Sequence, residues 1–125
     1  MPDIRKRKRI LYCDDYVDFE KYFCRAAQRL GHEPIFVNDA ARAWELIQGG
    51  EHFDLIISDY DMPEMNGLKF LSLVRAHPTT KETPFVLYSA NDSADLPAEV
   101  SALEGTFVSK ATMFSWTDLI SNNLL

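Results

Sequence analysis

The sequence is short of the residues that build special scaffolds. It holds only two cysteines, Cys13 and Cys24, with no CxxC and no Cys/His cluster. A disulfide framework and a zinc site are therefore excluded, and both thiols read as reduced core side chains among apolar neighbours. Five glycines and six prolines in 125 residues exclude fibrous repeats and low-complexity tracts. No apolar run approaches the roughly 18 residues of a membrane span. The polar, basic first nine residues lack the apolar centre of a secretory signal, so a cytoplasmic location is expected. Bases are scarce beyond that opening. Residues 1–9 carry Arg5, Lys6, Arg7, Lys8 and Arg9 against Asp3, a net +4, while the other 116 residues carry 8 bases and 18 acids, a net −10. Such an acidic body repels nucleic acid, which proteins bind by displacing counterions with Lys and Arg, so no direct nucleic-acid partner is expected. Residues 1–8 read as a solvated basic leader whose charges keep the edge of the first strand from pairing.

What is present is an alternation of short β-like runs and helical stretches. At 14.3 kDa it suits one compact domain with one site. Strands are predicted at Ile10–Cys13, Pro34–Val37, Leu55–Ser58, Phe85–Tyr88 and Thr106–Val108. Three are nearly continuous apolar runs, as in a parallel sheet covered on both faces. Helical spacing links Phe19, Phe23, Ala26 and Leu30, ended by Gly31; Ala40, Ala43, Trp44 and Ile47, capped by Asp39 and ended by Gly49-Gly50; and Leu68, Leu71 and Val74 after Gly67. A short fourth helix carries Leu96, Val100 and Leu103, with Pro97 in its first turn, and a fifth carries Met113, Trp116, Leu119 and Ile120. The order βαβαβαβαβα implies a doubly wound α/β sandwich with right-handed crossovers.

In such sheets chemistry gathers at the carboxyl ends of the strands. Asp14 and Asp15 follow the first strand, Asp59 and Asp61 the third, Ser89 the fourth and Lys110 the fifth. Carboxylates crowded at one edge repel each other unless a cation joins them. Oxygen ligands without His or Cys point to a hard ion, Mg²⁺ or Mn²⁺. A carboxylate beside a metal, a lysine and a hydroxyl can attack a phosphoryl group in line while the cations neutralise its oxygens. Asp59, delivered by the most apolar strand, is assigned the nucleophile's role. Singly, each residue has an ordinary reading: Asp14 or Asp15 as a cap of the first helix, Ser89 as a turn residue, Lys110 as a solvated charge, Asp61 as part of a loop. Their joint placement at the ends of four of the five strands favours a site.

The run Asp59-Tyr60-Asp61-Met62-Pro63-Glu64-Met65-Asn66-Gly67 resembles the phosphoacceptor loop of response regulator receiver domains. Asp15 lies 44 residues before Asp59, Ser89 lies 30 after it and Lys110 lies 51 after it, which agrees with that family's spacing. The resemblance, chemotaxis-regulator-like, covers residues 9–125. It implies a flavodoxin-like (βα)5 fold with strand order 2-1-3-4-5. It also implies phosphorylation of Asp59 from a sensor histidine kinase or histidine phosphotransfer protein, in a domain that signals rather than turning over a substrate. Asp15 would bind Mg²⁺ directly, Asp14 through water, Asp59 as a further ligand and Asp61 through its backbone carbonyl, while Ser89 and Lys110 would contact the phosphoryl group. Phe107 matches the family's switch aromatic and reads equally as a core strand residue. The face of the fourth helix, fifth strand and fifth helix would meet a downstream protein.

Departures are visible as well. Ala111 stands where the family usually has proline after the lysine, and the polar segment with Asp92, Asp95 and Pro97 makes the fourth helix short and late. Two rival readings stand beside the first. One is a receiver-like interaction module that works without phosphorylation. The other is a DxD phosphatase, a family that carries its motif after the first strand. No output domain is visible in this sequence, so a stand-alone shuttle and a segment of a larger regulator are both open.

Overall fold

The computed structural model describes residues 7–124 except Asp92 and Phe114. The leader residues Asp3, Arg5 and Lys6, together with Asp92 and Leu125, lie outside the described residues. In chain order the elements are β1 (Arg9–Cys13), α1 (Glu20–Arg29), β2 (Glu33–Val37), α2 (Ala40–Gln48), β3 (Leu55–Ser58), α3 (Gly67–Ala76), β4 (Phe85–Ser89), α4 (Leu96–Ala102), β5 (Thr106–Ser109) and α5 (Trp116–Asn123). All strand pairs are parallel and the sheet order is β2-β1-β3-β4-β5, the expected doubly wound architecture.

Strand side chains alternate between the two faces of a sheet, and the core divides accordingly. Leu11, Cys13, Ile56, Phe85 and Leu87 pack with residues of α2, α3 and α4. Ile10, Tyr12, Leu55, Ile57, Val86 and Tyr88 pack with residues of α1 and α5. The three continuous apolar runs are the three central strands, covered on both sides, while the border strands β2 and β5 are only partly buried.

Three readings need correction. β1 is central, paired with both β2 and β3, so it has no free edge of the kind the leader was expected to shield. Instead the end of the leader is used: the Lys8 backbone donates to His32 Nδ1 at 3.1 Å and accepts from the Glu33 N–H at 2.8 Å, and Arg7 lies 3.6 Å from the Glu33 carboxylate. Neither Asp14 nor Asp15 caps α1. A 3₁₀ turn over Val17–Phe19 precedes the helix, its cap position Phe19 has no side-chain acceptor, and Asp14 Oδ1 accepts the Tyr16 N–H instead. Cys24 is half-buried rather than in the core, and Cys13 is fully buried; both are free thiols.

Helix ends follow the residues expected to set them. Asp39, Asn66 and Ser115 accept the N–H groups of Arg42, Lys69 and Asp118, which satisfies donors the helix cannot. Gly31 closes α1 with φ 81°, its N–H on the Gln28 carbonyl and the His32 N–H on the Ala27 carbonyl, a Schellman arrangement. The same pair of bonds closes α4, but there the left-handed position is Glu104, φ 57°. A side chain with a Cβ is strained in that region. Glu104→Gly is therefore expected to stabilise the chain by about 0.5–1 kcal/mol in urea denaturation; unchanged stability would mean the strain is absorbed.

Arg75, in the last turn of α3, ties this end of the molecule together. Its guanidinium donates to the carbonyls of Leu103 (2.9 Å), Glu104 (3.1 Å), Thr80 (3.3 Å), Lys81 (3.3 Å) and Thr83 (2.7 Å).

Candidate functional site

Strand register builds the site. Cys13 pairs with Ser58 and Ser89 with Ser109 at the carboxyl ends of their strands. The Asp59 N–H bonds to the Cys13 carbonyl at 2.9 Å, and the Lys110 N–H to the Ser89 carbonyl at 2.9 Å. The residues just beyond the central strands are thereby fixed along one edge. The Asp59 backbone is held closely from the other side as well, because Gly67 opens α3 against it: a Cβ there would stand 2.1 Å from the Asp59 carbonyl oxygen.

Carboxylate oxygens of Asp14, Asp15 and Asp59 lie within 4.8 Å of one another. Asp14 is fully buried, Asp59 is 6 % exposed, and Asp15 is exposed. Three oxygen donors with no nitrogen or sulfur ligand suit a hard divalent ion. The Lys110 ammonium sits between two of them, 2.9 Å from Asp14 Oδ2 and 3.2 Å from Asp59 Oδ1. It also faces the rings of Phe19 and Tyr88, 5.7 Å and 5.4 Å from their centroids, a cation–π setting.

Burial, reinforced by the Asp14 charge and opposed by Lys110, pushes the Asp59 carboxyl up to about 6. Burial is also the main reason the Tyr88 phenol is pushed up to about 12, with Asp14 and Asp59 adding to it. Burial, then Asp14, raises the Tyr12 phenol further still, so it remains a proton donor.

The remaining expected residues divide. Ser89 is buried at the end of β4, where its hydroxyl oxygen accepts the Asn91 N–H at 3.0 Å. Asp61 is exposed, and its side chain is not among the clustered carboxylates. Phe107 pairs with Leu87 and is half-buried against the α2–α3–α4 side of the core. At Ala111, where proline was the family expectation, the N–H donates to Ser109 Oγ at 3.1 Å, a bond proline could not make.

Sequence reasoning missed the aromatic surroundings: Tyr12, Phe19 and Tyr88. Tyr12 donates its phenol proton to Asp14 Oδ2 at 2.5 Å. The signal was available, since residues two apart on a strand share a face, and Tyr12 stands two before Asp14.

Residues 10–113 match the profile of the response regulator receiver domain. The chain belongs to that family. A chemotaxis protein CheY homolog of Campylobacter jejuni is 30 % identical over 80 residues, 63 % of this chain and 62 % of that protein. A probable chemotaxis protein CheY of Rhizobium etli is 30 % identical over 101 residues, 80 % of this chain and 78 % of the relative. Among solved structures, the chemotaxis response regulator CheY4 of Vibrio cholerae superposes with a TM-score of 0.79 at 26 % identity, covering 94 % of this chain and 96 % of that one. The response regulator TrrA of Thermotoga maritima, solved with Mg²⁺ and BeF, gives 0.77 at 24 % identity over 94 % and 99 % of the two chains, a likeness of fold.

Receiver domains are signalling domains of two-component systems that take phosphoryl groups from histidine kinases. In this receiver domain the Asp-Tyr-Asp run follows β3, not the first strand as in DxD phosphatases. Among the described residues, no helix is long and apolar enough to cross a membrane.

Proposed function

We propose that this receiver domain accepts a phosphoryl group on Asp59 from the phosphohistidine of a sensor histidine kinase or a phosphotransfer protein, in the cytoplasm, and passes the signal on by a change of its partner surface. The observation that carries the proposal is the Lys110 ammonium held between Asp14 and Asp59 beside a third carboxylate. Such a grouping neutralises charge on an incoming phosphoryl group and leaves a carboxylate to attack it. A carboxylate oxygen of Asp59 bonds to phosphorus, the P–N bond to the donor imidazole breaks, and its electron pair stays on that nitrogen. Lys110 and the Ser89 hydroxyl then donate to the phosphoryl oxygens. Asp15 directly, Asp14 through water, Asp59 and the Asp61 backbone carbonyl would hold Mg²⁺, which would supply charge neutralisation for the transferred oxygens.

Two surfaces support the partner assignments. Tyr16, Val17 and Tyr22 are about half exposed, near Asp15 in the chain, an apolar landing area for the phosphodonor. The segments of α4, β5 and α5 carry Glu99 and Asp118 and no Lys, Arg or His. A downstream protein reading this face would present basic residues. Unchanged capture of that protein by a Glu99→Lys, Asp118→Lys chain would place its docking surface elsewhere. Phe107, at the border of the core on β5, is the aromatic that would turn further inward in the phosphorylated state.

Incubation with acetyl phosphate and Mg²⁺ tests the reading. Wild type is expected to label and Asp59→Ala to fall to background, with folding monitored by circular dichroism. Equal labelling of the two would remove Asp59 as nucleophile, and an unlabelled wild type would favour a module that works without phosphorylation. In the same assay Asp61→Asn, which removes a side-chain charge two residues after Asp59, is expected to shift the Mg²⁺ requirement and the phosphoryl lifetime; identical values would leave that side-chain charge without a role at the site.

A further inference from the structure

Tyr12 lies on the central strand, buried on the α1–α5 side of the sheet. Its ring is enclosed by Phe23 and Phe36 edge-on at 5.2 and 5.3 Å, and by Trp116 at 5.0 Å between centroids. A ring so enclosed cannot swing its hydroxyl away. That hydroxyl donates to Asp14 Oδ2 at 2.5 Å, the oxygen that also accepts from Lys110 Nζ at 2.9 Å, while Oδ1 accepts the Tyr16 N–H at 2.9 Å. Three donors thus fix a carboxylate with no exposure to solvent.

The three donors are not equivalent. Lys110 is carried on a flexible four-carbon stem and is also drawn to Asp59. The phenol and the backbone N–H are anchored in the core and the turn. When the ammonium moves toward a phosphoryl oxygen, Tyr12 is the only side-chain donor of the three that stays on Asp14.

We propose that Tyr12 is a positioning residue of the phosphoryl site, its hydroxyl holding the Asp14 carboxylate in the orientation that converges with Asp15 and Asp59 on a divalent cation. This rests on the Mg²⁺ reading above and adds a residue which that reading does not use. Hydrogen-bond partners that orient a ligating group commonly change metal affinity by about 10- to 100-fold when removed.

The test is a calorimetric Mg²⁺ titration of the full chain as wild type, Tyr12→Phe and Tyr88→Phe, with thermal melts on each. Tyr12→Phe removes one oxygen and keeps the ring. Tyr88→Phe removes a phenol oxygen from the same aromatic cluster while keeping the ring that faces Lys110. Tyr12→Phe is expected to bind Mg²⁺ about tenfold more weakly and Tyr88→Phe within about twofold of wild type. In acetyl phosphate labelling, the Mg²⁺ concentration for half-maximal rate should rise by the same factor in Tyr12→Phe, with the rate at saturating Mg²⁺ nearly unchanged. Equal affinity in wild type and Tyr12→Phe, or equal loss in both variants, overturns the inference while leaving the metal reading intact. A wild-type chain that binds no Mg²⁺ removes both. A Tyr12→Phe chain that does not fold makes the hydroxyl a folding requirement and likewise overturns a positioning role.

Discussion

Replacing Gly67 by alanine is expected to destabilise the domain by about 3 kcal/mol and to suppress labelling of Asp59 as well. The added methyl would stand 2.1 Å from the Asp59 carbonyl oxygen and 2.5 Å from Leu87 Cδ1. Neither neighbour can give way easily. The Asp59 N–H is bonded to the Cys13 carbonyl, and Leu87 is a buried residue of β4. The start of α3 must therefore move. That strains the 2.8 Å bond from the Gly67 N–H to the Tyr60 carbonyl and the Asn66 cap on Lys69. Urea denaturation reads the stability and acetyl phosphate labelling reads the site. A loss below about 1 kcal/mol would show that α3 can shift freely.

Removal of the ammonium should have an effect of similar size that depends on pH. In Lys110→Ala, Asp14 and Asp59 face each other in a buried setting without a counter-charge. The metal-free chain is expected to lose about 3 kcal/mol at pH 8. The direction with pH follows from Asp59. Its carboxyl is already pushed up to about 6, against an ordinary value of 3.8, so the folded chain holds a proton that the unfolded chain has released. Its favourable contribution is complete below about pH 4 and is lost as pH rises through about 6. Without Lys110 the folded carboxyl rises further, so the variant recovers at pH 5, where Asp59 is protonated, and is weakest at pH 8. Mg²⁺ should restore much of the loss at pH 8. Urea melts at both pH values, with and without Mg²⁺, check this. An equal loss at pH 5 and pH 8 would assign the effect to the lost contacts of the ammonium with the Phe19 and Tyr88 rings.

How much of this was legible in the sequence depends on what kind of physics set each feature. The central strands were readable because a parallel strand covered on both faces must be apolar throughout, as Leu55–Ser58 is. Strand ends were less so: Arg9 belongs to β1 although it is charged, because its N–H meets Asp54 at 2.8 Å and its guanidinium meets Glu33 and Glu51. Those partners lie far away in the chain. The convergence of Asp14, Asp15 and Asp59 followed from topology, since residues just past neighbouring parallel strands share an edge. The ordinary reading of Asp14 as a cap of α1 is not realised, because a local cap and a tertiary site compete for one carboxylate and the intervening 3₁₀ turn removes the cap geometry. Phe19 was taken for a helix-face residue, yet its ring also faces Lys110, 91 positions later in the chain, a proximity that no local periodicity encodes.

The five carbonyls gathered by Arg75 act as a fulcrum. They fix the far end of α4 to α3 and to the turn before β4, and Gly105 adds close contact there: a Cβ at that residue would lie 2.9 Å from Val100 and 3.0 Å from Leu71. The opposite end of α4 has no side-chain cap and follows a polar loop from Ser89. If phosphorylation shifts Ser89, as the proposed switch requires, the pull would reach α4 at its Leu96 end, opposite the end that Arg75 ties down. Under that proposal the displacement of α4 would be a swing, largest beside the site and smallest at Glu104.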